Sequence, residues 1–168
     1  MTEQAPPRRS LLEDLGDAEV EQILAMKKSA IVAFVDARGF PRMLPCWFFW
    51  DGEAFYTTSE SAKFHVRALK NNDRASFCIE HERFVDGRYR GNRQVKGTGR
   101  VEIYSDASGE WLDRILTKYI GDNGWPARAG AAVERVVIRL KPERLSAHGG
   151  DIDWPVSDIR APGETEPR

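Results

Sequence analysis

Between Thr57 and Arg67 the chain sets four hydroxyls, Thr57, Thr58, Ser59 and Ser61, directly ahead of two cations, Lys63 and Arg67, that stand four residues apart. That spacing puts two side chains on one face of a helix. Like charges so placed repel by roughly 0.2–0.5 kcal/mol in an isolated helix. An anion at the amino end of the helix reverses the sign, because free amides and the helix dipole also favour negative charge there. The chemistry this pattern can do is to hold a phosphate-bearing ligand. The same residues have a plainer use: hydroxyls cap helices, cations on a helix face are solvated, and Glu60 stands close enough to screen Lys63.

Other chemistries find no support. His65, His81 and His148 are far apart, and the chain has no HExxH, no metal-ligand spacing and no GxSxG elbow, which disfavours a metalloenzyme or a hydrolase. Cys46 and Cys78 lie in apolar, strand-like runs without CxxC spacing, so reduced buried thiols are expected rather than a disulfide or a zinc site. This points to the cytoplasm. A net charge of −1 provides no field for nucleic acid or an anionic membrane. The N-terminus lacks a long apolar core after its arginines and no apolar run is long enough to span a membrane, so neither a signal peptide nor a membrane span is expected.

The elements that must position these residues can be read from periodicity. The 168 residues make one domain. Polar, proline-bearing ends set the expected bounds: a tail over 1–9, a folded domain over 10–150 and a tail over 151–168. Ser10 and Glu13 form a capping box opening one or two helical pieces broken near Gly16-Asp17. Ala30 to Asp36 is a strand, Ala37-Arg38-Gly39 a turn, Phe40 to Trp50 a second strand, Asp51-Gly52 a hairpin turn and Ala54 to Thr57 a third strand. After the short basic helix, Arg74 to Glu80 and Gln94 to Tyr104 read as strands, and Gly97 and Gly99 permit bending or close approach. Trp111, Leu112, Ile115, Leu116 and Tyr119 follow helical spacing up to a stop at Gly121. Val136 to Leu140 is a sixth strand, and Arg144 to Ala147 is a candidate for a seventh. Many strands in hairpin order with few helices predict a mostly β fold, a six- to seven-stranded antiparallel barrel.

With that layout, the chain resembles the flavin-binding split-barrel superfamily that includes pyridoxamine 5'-phosphate oxidases and deazaflavin-dependent reductases. The segments IVAFVDARGFPRMLPCWFFWDG, FYTTSESAK, LKNNDRASFCIE and YRGNRQVKGTGRVEI carry the resemblance, over about residues 20 to 146. It implies an FMN- or deazaflavin (F420)-dependent oxidoreductase acting on a small organic substrate, with the cofactor at a homodimer interface. A non-catalytic barrel that binds flavin or haem is the alternative. The resemblance further implies that Arg42, Met43, Leu44, Pro45, Cys46 and Trp47 lie along the flavin ring and ribityl chain. Thr57, Thr58 and Ser59 would stand near the phosphate, Lys63 would bind it with help from Arg67, and Gln94 would reach the ring. Lys63 precedes Leu69 by six positions, whereas in many relatives the phosphate lysine stands about four before that leucine, the place His65 holds here, so either residue can face the phosphate. The end of the chain does not match the substrate-binding segment of true pyridoxamine phosphate oxidases, which argues against vitamin B6 oxidation.

Three further features have two readings each. Trp47, Phe48, Phe49 and Trp50 put aromatics on both faces of one strand, so the outer face must be covered by a partner chain or by a helix of the same chain. Trp125 and Trp154 are candidates for pocket or interface walls, and Trp111 for the core. Arg83, Arg88, Arg90, Arg93, Lys96 and Arg100 would either bind the anionic tail of a deazaflavin coenzyme or form a solvated strand face.

Overall fold

A computed structural model describes residues 13–85, 88–121 and 133–150. The tails, the Ser10 cap, Trp125, Trp154 and the side chains of Arg88 and Arg90 lie outside the described residues. Eight strands and three helices follow one another: β1 (Glu13–Asp14), α1 (Asp17–Ala25), β2 (Ala30–Val35), β3 (Pro41–Cys46), β4 (Phe49–Trp50), β5 (Phe55–Glu60), α2 (Phe64–Asn71), β6 (Arg74–Val85), β7 (Arg88–Ser105), α3 (Glu110–Ile120) and β8 (Arg135–Gly149). Seven strands form one antiparallel path, β3-β2-β6-β7-β8-β5-β4, and β1 pairs with the end of β8. The fold is mostly β, as expected. Among the described residues no helix is long and apolar enough to cross a membrane.

The sheet is a split barrel that its hydrogen bonds do not close. Its terminal strands β3 and β4 are consecutive in the chain. The sequence predicts one strand from Phe40 to Trp50; the ladder instead breaks at Trp47-Phe48, so β3 pairs with β2 and β4 with β5. The break lets the chain step from one end of the sheet path to the other. Phe48 turns inward there and is fully buried.

Alternation along the strands sorts their side chains. Val32, Phe34, Phe55, Phe77, Ile79, Val95, Ile138 and Leu140 point into one core, which α1 plugs with Val20, Ile23 and Leu24 and α2 with Val66 and Leu69. Phe48, Phe55 and Phe77 stack through this core, with centroids 4.9 and 4.7 Å apart. Gly97 faces the Phe77 ring so closely that a Cβ would stand 2.3 Å from it, which accounts for the glycine. At Gly99 the register slips against Pro142, as a bulge accommodates a proline.

Two other expectations change. Glu13-Asp14 is a strand rather than part of an opening helix, held by pairing with His148 and Gly149. The two strands expected beyond Glu134 are one, β8, continuous through Pro142. The outer aromatic face is covered by the same chain: Trp111 of α3 packs on Phe49 and stacks on Tyr56, while Glu21 of α1 accepts from the Trp50 indole. Among the described cations of the basic stretch, Arg93 leaves the exposed face that Lys96 and Arg100 share. Buried Arg93 donates to Glu19 at 2.8 Å, Arg100 pairs with Asp73, and Lys96 is exposed on the other side of β7 from Arg93.

Candidate functional site

The split between edge strand β3 and the β5–α2 corner gathers most of the residues singled out above. Asp36 fixes the β2–β3 turn by accepting from the amides of Arg38 and Phe40, and it accepts from Arg42 Nε at 2.9 Å. The guanidinium of Arg42 lies over the Phe64 ring, 5.7 Å from its centroid. Phe64 is the first residue of α2, so β3 meets the start of that helix through an aromatic contact. Leu44 and Cys46 turn toward the core, while Met43 and Pro45 turn outward; Met43 is 78% exposed.

Across the split, Thr57 donates its hydroxyl to the carbonyl of Trp47 at 2.9 Å, joining β5 to the strand break. The Trp47 indole stacks on Tyr119 of α3 at 4.7 Å with an interplanar angle of 4°. Tyr119 in turn donates to Lys28 O at 2.6 Å and accepts from the Phe48 amide at 3.3 Å. Burial pushes its phenol up to about 12, so it stays a donor at neutral pH. The neighbouring Lys118 donates to Leu24 O and stands 3.7 Å above Phe48; burial holds its amine down to about 8. These contacts fix the end of β3 from three elements.

Thr58 and Ser59 point to opposite sides of β5, because side chains alternate. Thr58 accepts from Arg135 Nη2 at 2.9 Å on the outer side. Ser59 Oγ lies 2.7 Å from His65 Nε2 on the inner side. Lys63 is the N-cap of α2, not an interior helix residue, and its ammonium lies 3.2 Å from Glu60. Arg67 curls back to Ala62 O at 2.6 Å. The hydroxyls therefore part to different partners, Thr57 to the Trp47 carbonyl, Thr58 to Arg135, Ser59 to His65 and Ser61 to Glu134, with Lys63, His65 and Arg67 clustered around the first turn of α2. Gln94 is not in this corner: β7 lies three strands from β3 in the sheet order, and Gln94 emerges opposite buried Arg93 and Val95.

Arg135 is a residue that sequence reasoning missed. Its Nε is buried and has no hydrogen-bond partner among the described residues, an orphaned donor beside Thr58. The usable signal is its place one residue before the expected strand at Val136, which antiparallel pairing sets opposite Glu60. Phe64 was also overlooked, since an aromatic at a helix start carries no chemical signature of its own.

The donor set of Lys63, Ser59, Ser61, Arg67 and Arg42 fits a phosphate monoester, and the edge of β3 offers backbone groups that no strand of the sheet path pairs. Nucleophilic chemistry at Cys46 does not fit. Burial raises its thiol to about 11, against a smaller lowering by Thr57. At pH 8 roughly one molecule in a thousand then carries the thiolate. Iodoacetamide at pH 8, read by mass spectrometry, is expected to label Cys46 in urea and to leave it unlabelled in the folded protein; fast labelling of the native state would show the thiol to be open. Among the described residues no group of three or more His, Cys, Asp or Glu side chains could hold a metal ion.

Comparison with known proteins bears on the fold and the family. No curated protein matches the chain significantly. Solved structures share its fold. An F420 reductase is 23% identical, with a TM-score of 0.58, over 75% of this chain and 94% of the other. A FAD-binding protein from Mesorhizobium loti is 21% identical, with a TM-score of 0.62, over 83% and 99%. The FAD and heme binding protein from Mycobacterium smegmatis is 17% identical, with a TM-score of 0.64, over 94% and 95%. The sequence model of the pyridoxamine 5'-phosphate oxidase family matches residues 17–149, which takes in every strand from β2 to β8 and all three helices. With a match of that extent, the chain belongs to the pyridoxamine 5'-phosphate oxidase family.

Proposed function

We propose that the protein is an oxidoreductase that uses FMN in the cytoplasm to move reducing equivalents to or from a small organic substrate. One observation carries this reading: Arg42 of β3 lies over Phe64, the residue that follows Lys63 and opens the first turn of α2, and the edge of β3 is paired by no strand of the sheet path. A phosphate at α2 would leave the attached ring system lying along β3. Bound flavin supplies the redox chemistry, and the chain supplies binding, orientation and exclusion of water. Lys63 and Arg67 would hold the phosphate, backbone groups of Arg42 to Trp47 would line the ring, and the Trp47–Tyr119 stack would hold the end of β3 in place.

A homodimer completes the site in this proposal. Ile31, Met43 and Pro45 lie on the outer face beside the split and are exposed in the single chain, and Gln94 would reach a ring only from a neighbouring copy. The deazaflavin coenzyme F420 is the alternative cofactor. Inward-turned Arg93 is unavailable to its anionic tail, which leaves Lys96 and Arg100 on the exposed side of β7, Arg100 already paired with Asp73. A non-catalytic flavin- or haem-binding barrel is the alternative function, favoured by the fold shared with a protein named for FAD and heme.

The test is a fluorescence titration with FMN and, separately, F420, combined with the elution volume of the complex. FMN bound tightly at dimer size, and reduced by a nicotinamide donor, is the expected result. Tight F420 binding would replace the cofactor, and flavin bound without any reduction would favour the non-catalytic barrel.

A further inference from the structure

We propose that Ser59 and His65 form a proton-coupled pair, in which recognition of a phosphate monoester at the start of α2 is linked to uptake of one proton by the His65 ring. The inference rests on the flavin phosphate reading above and adds a regulation to that site. Its basis is one short hydrogen bond whose direction is set by whether His65 Nε2 carries a proton. Ser59 Oγ and His65 Nε2 are 2.7 Å apart, and among the described residues the hydroxyl has one other hydrogen-bond partner, the Glu60 carbonyl at 3.4 Å.

A serine hydroxyl has one proton to donate. While Nε2 is unprotonated, that proton is spent on the imidazole, and the oxygen shows lone pairs to anything that approaches. Once both ring nitrogens are protonated, Nε2 must donate to Ser59, and the hydroxyl proton is free to turn toward an anionic oxygen. An anion at α2 therefore meets a repulsive pair in the first state and a donating, positively charged pair in the second. The proton comes from solvent, and no covalent step is involved.

The surrounding charges set the empty site toward the first state. Partial burial of the ring disfavours an imidazolium, and Lys63 on the same turn repels it, so His65 is held below the ordinary histidine range. From α2, Arg67 adds a second positive charge. From β5, Glu60 is committed to Lys63 at 3.2 Å. From the β8 side, Arg135 is held by Thr58, and Glu134 accepts from the Ser61 hydroxyl. From β3, Arg42 is paired with Asp36. A phosphate dianion placed among these cations neutralises Lys63 and Arg67 and favours the imidazolium, so the bound state raises what the empty state lowers.

The sign follows from that direction. The complex binds more protons than the free protein, so FMN affinity falls as pH rises, by up to about tenfold per pH unit for one linked proton. Riboflavin has the ring but no phosphate, which separates this effect from ring binding. Calorimetry at pH 7 in buffers of different ionisation enthalpy is expected to show FMN taking up as much as one more proton with the wild type than with His65→Asn. Riboflavin should show no such difference. The His65 ring resonances of the wild type, followed by NMR, should titrate at higher pH with FMN bound than without it, a readout that needs no variant. FMN binding with equal proton counts and an unmoved His65 titration would overturn the pair alone. Failure of both flavins to bind the wild type would overturn the flavin reading and this inference with it.

Discussion

Gly97→Ala is expected to lower the stability of the protein by roughly 1–3 kcal/mol or more, the cost of overpacking a filled core. The new methyl carbon would stand 2.3 Å from Phe77 Cε1 and 2.5 Å from Cζ, well inside van der Waals contact. The ring has no free direction in which to retreat. It is 1% exposed, stacked on Phe55 on one side, and in contact with Trp50 at 6.5 Å. Phe55 continues the stack to Phe48, the residue after Trp47 at the strand break. Strain introduced at Gly97 therefore runs toward the end of β3. Urea unfolding should show a lower midpoint with an unchanged slope. Exposed Lys96→Ala on the same strand should stay within about 0.5 kcal/mol. The double variant Gly97→Ala/Phe77→Leu should recover part of the loss, because the two sites share one volume. A Gly97→Ala protein as stable as the parent would mean that the core at Phe77 is looser than its packing indicates.

Lys63→Ala is expected to weaken FMN binding by roughly 1.5–3 kcal/mol, about ten- to 150-fold, the scale of a charge-assisted hydrogen bond to phosphate. The fold should not notice the change. The Lys63 side chain is 55% exposed and its partner is a surface carboxylate, a class of ion pair worth about 0–1 kcal/mol. Riboflavin affinity should be unaltered, so the ratio of the two affinities isolates the phosphate contact. Equal FMN affinity in variant and parent would take Lys63 out of the site and leave Arg67 and His65 to hold the phosphate.

These two substitutions differ in how far the amino-acid sequence announces them. The hairpin at Asp36-Gly39 was legible because its turn chemistry is local: Asp36 accepts from amides two and four residues ahead, and Gly39 takes a φ of 82° that other residues rarely adopt. The α3 helix was legible for the same kind of reason, since its apolar spacing ends at Gly121, also at positive φ. Gly97 could be marked as a place of close approach, but nothing local names Phe77 as what approaches, twenty positions away on the neighbouring strand.

The sequence by itself determined the β-rich class, the hairpin order, the short basic helix after β5 and the family resemblance. Each of these rests on periodicity, turn residues or motif order within short windows. Only the tertiary structure decided where the aromatic strand expected over Phe40 to Trp50 breaks, because that depends on Phe48 finding the Phe55 ring and on Tyr119 receiving Trp47 and the Phe48 amide. It also decided that Thr58 faces Arg135 while Ser59 faces His65, and that Arg93 turns inward to Glu19 instead of joining a basic surface. Alternation along a strand puts neighbours in sequence on opposite faces. Which face meets the core, a helix or solvent is fixed only when residues far apart in the chain have packed together.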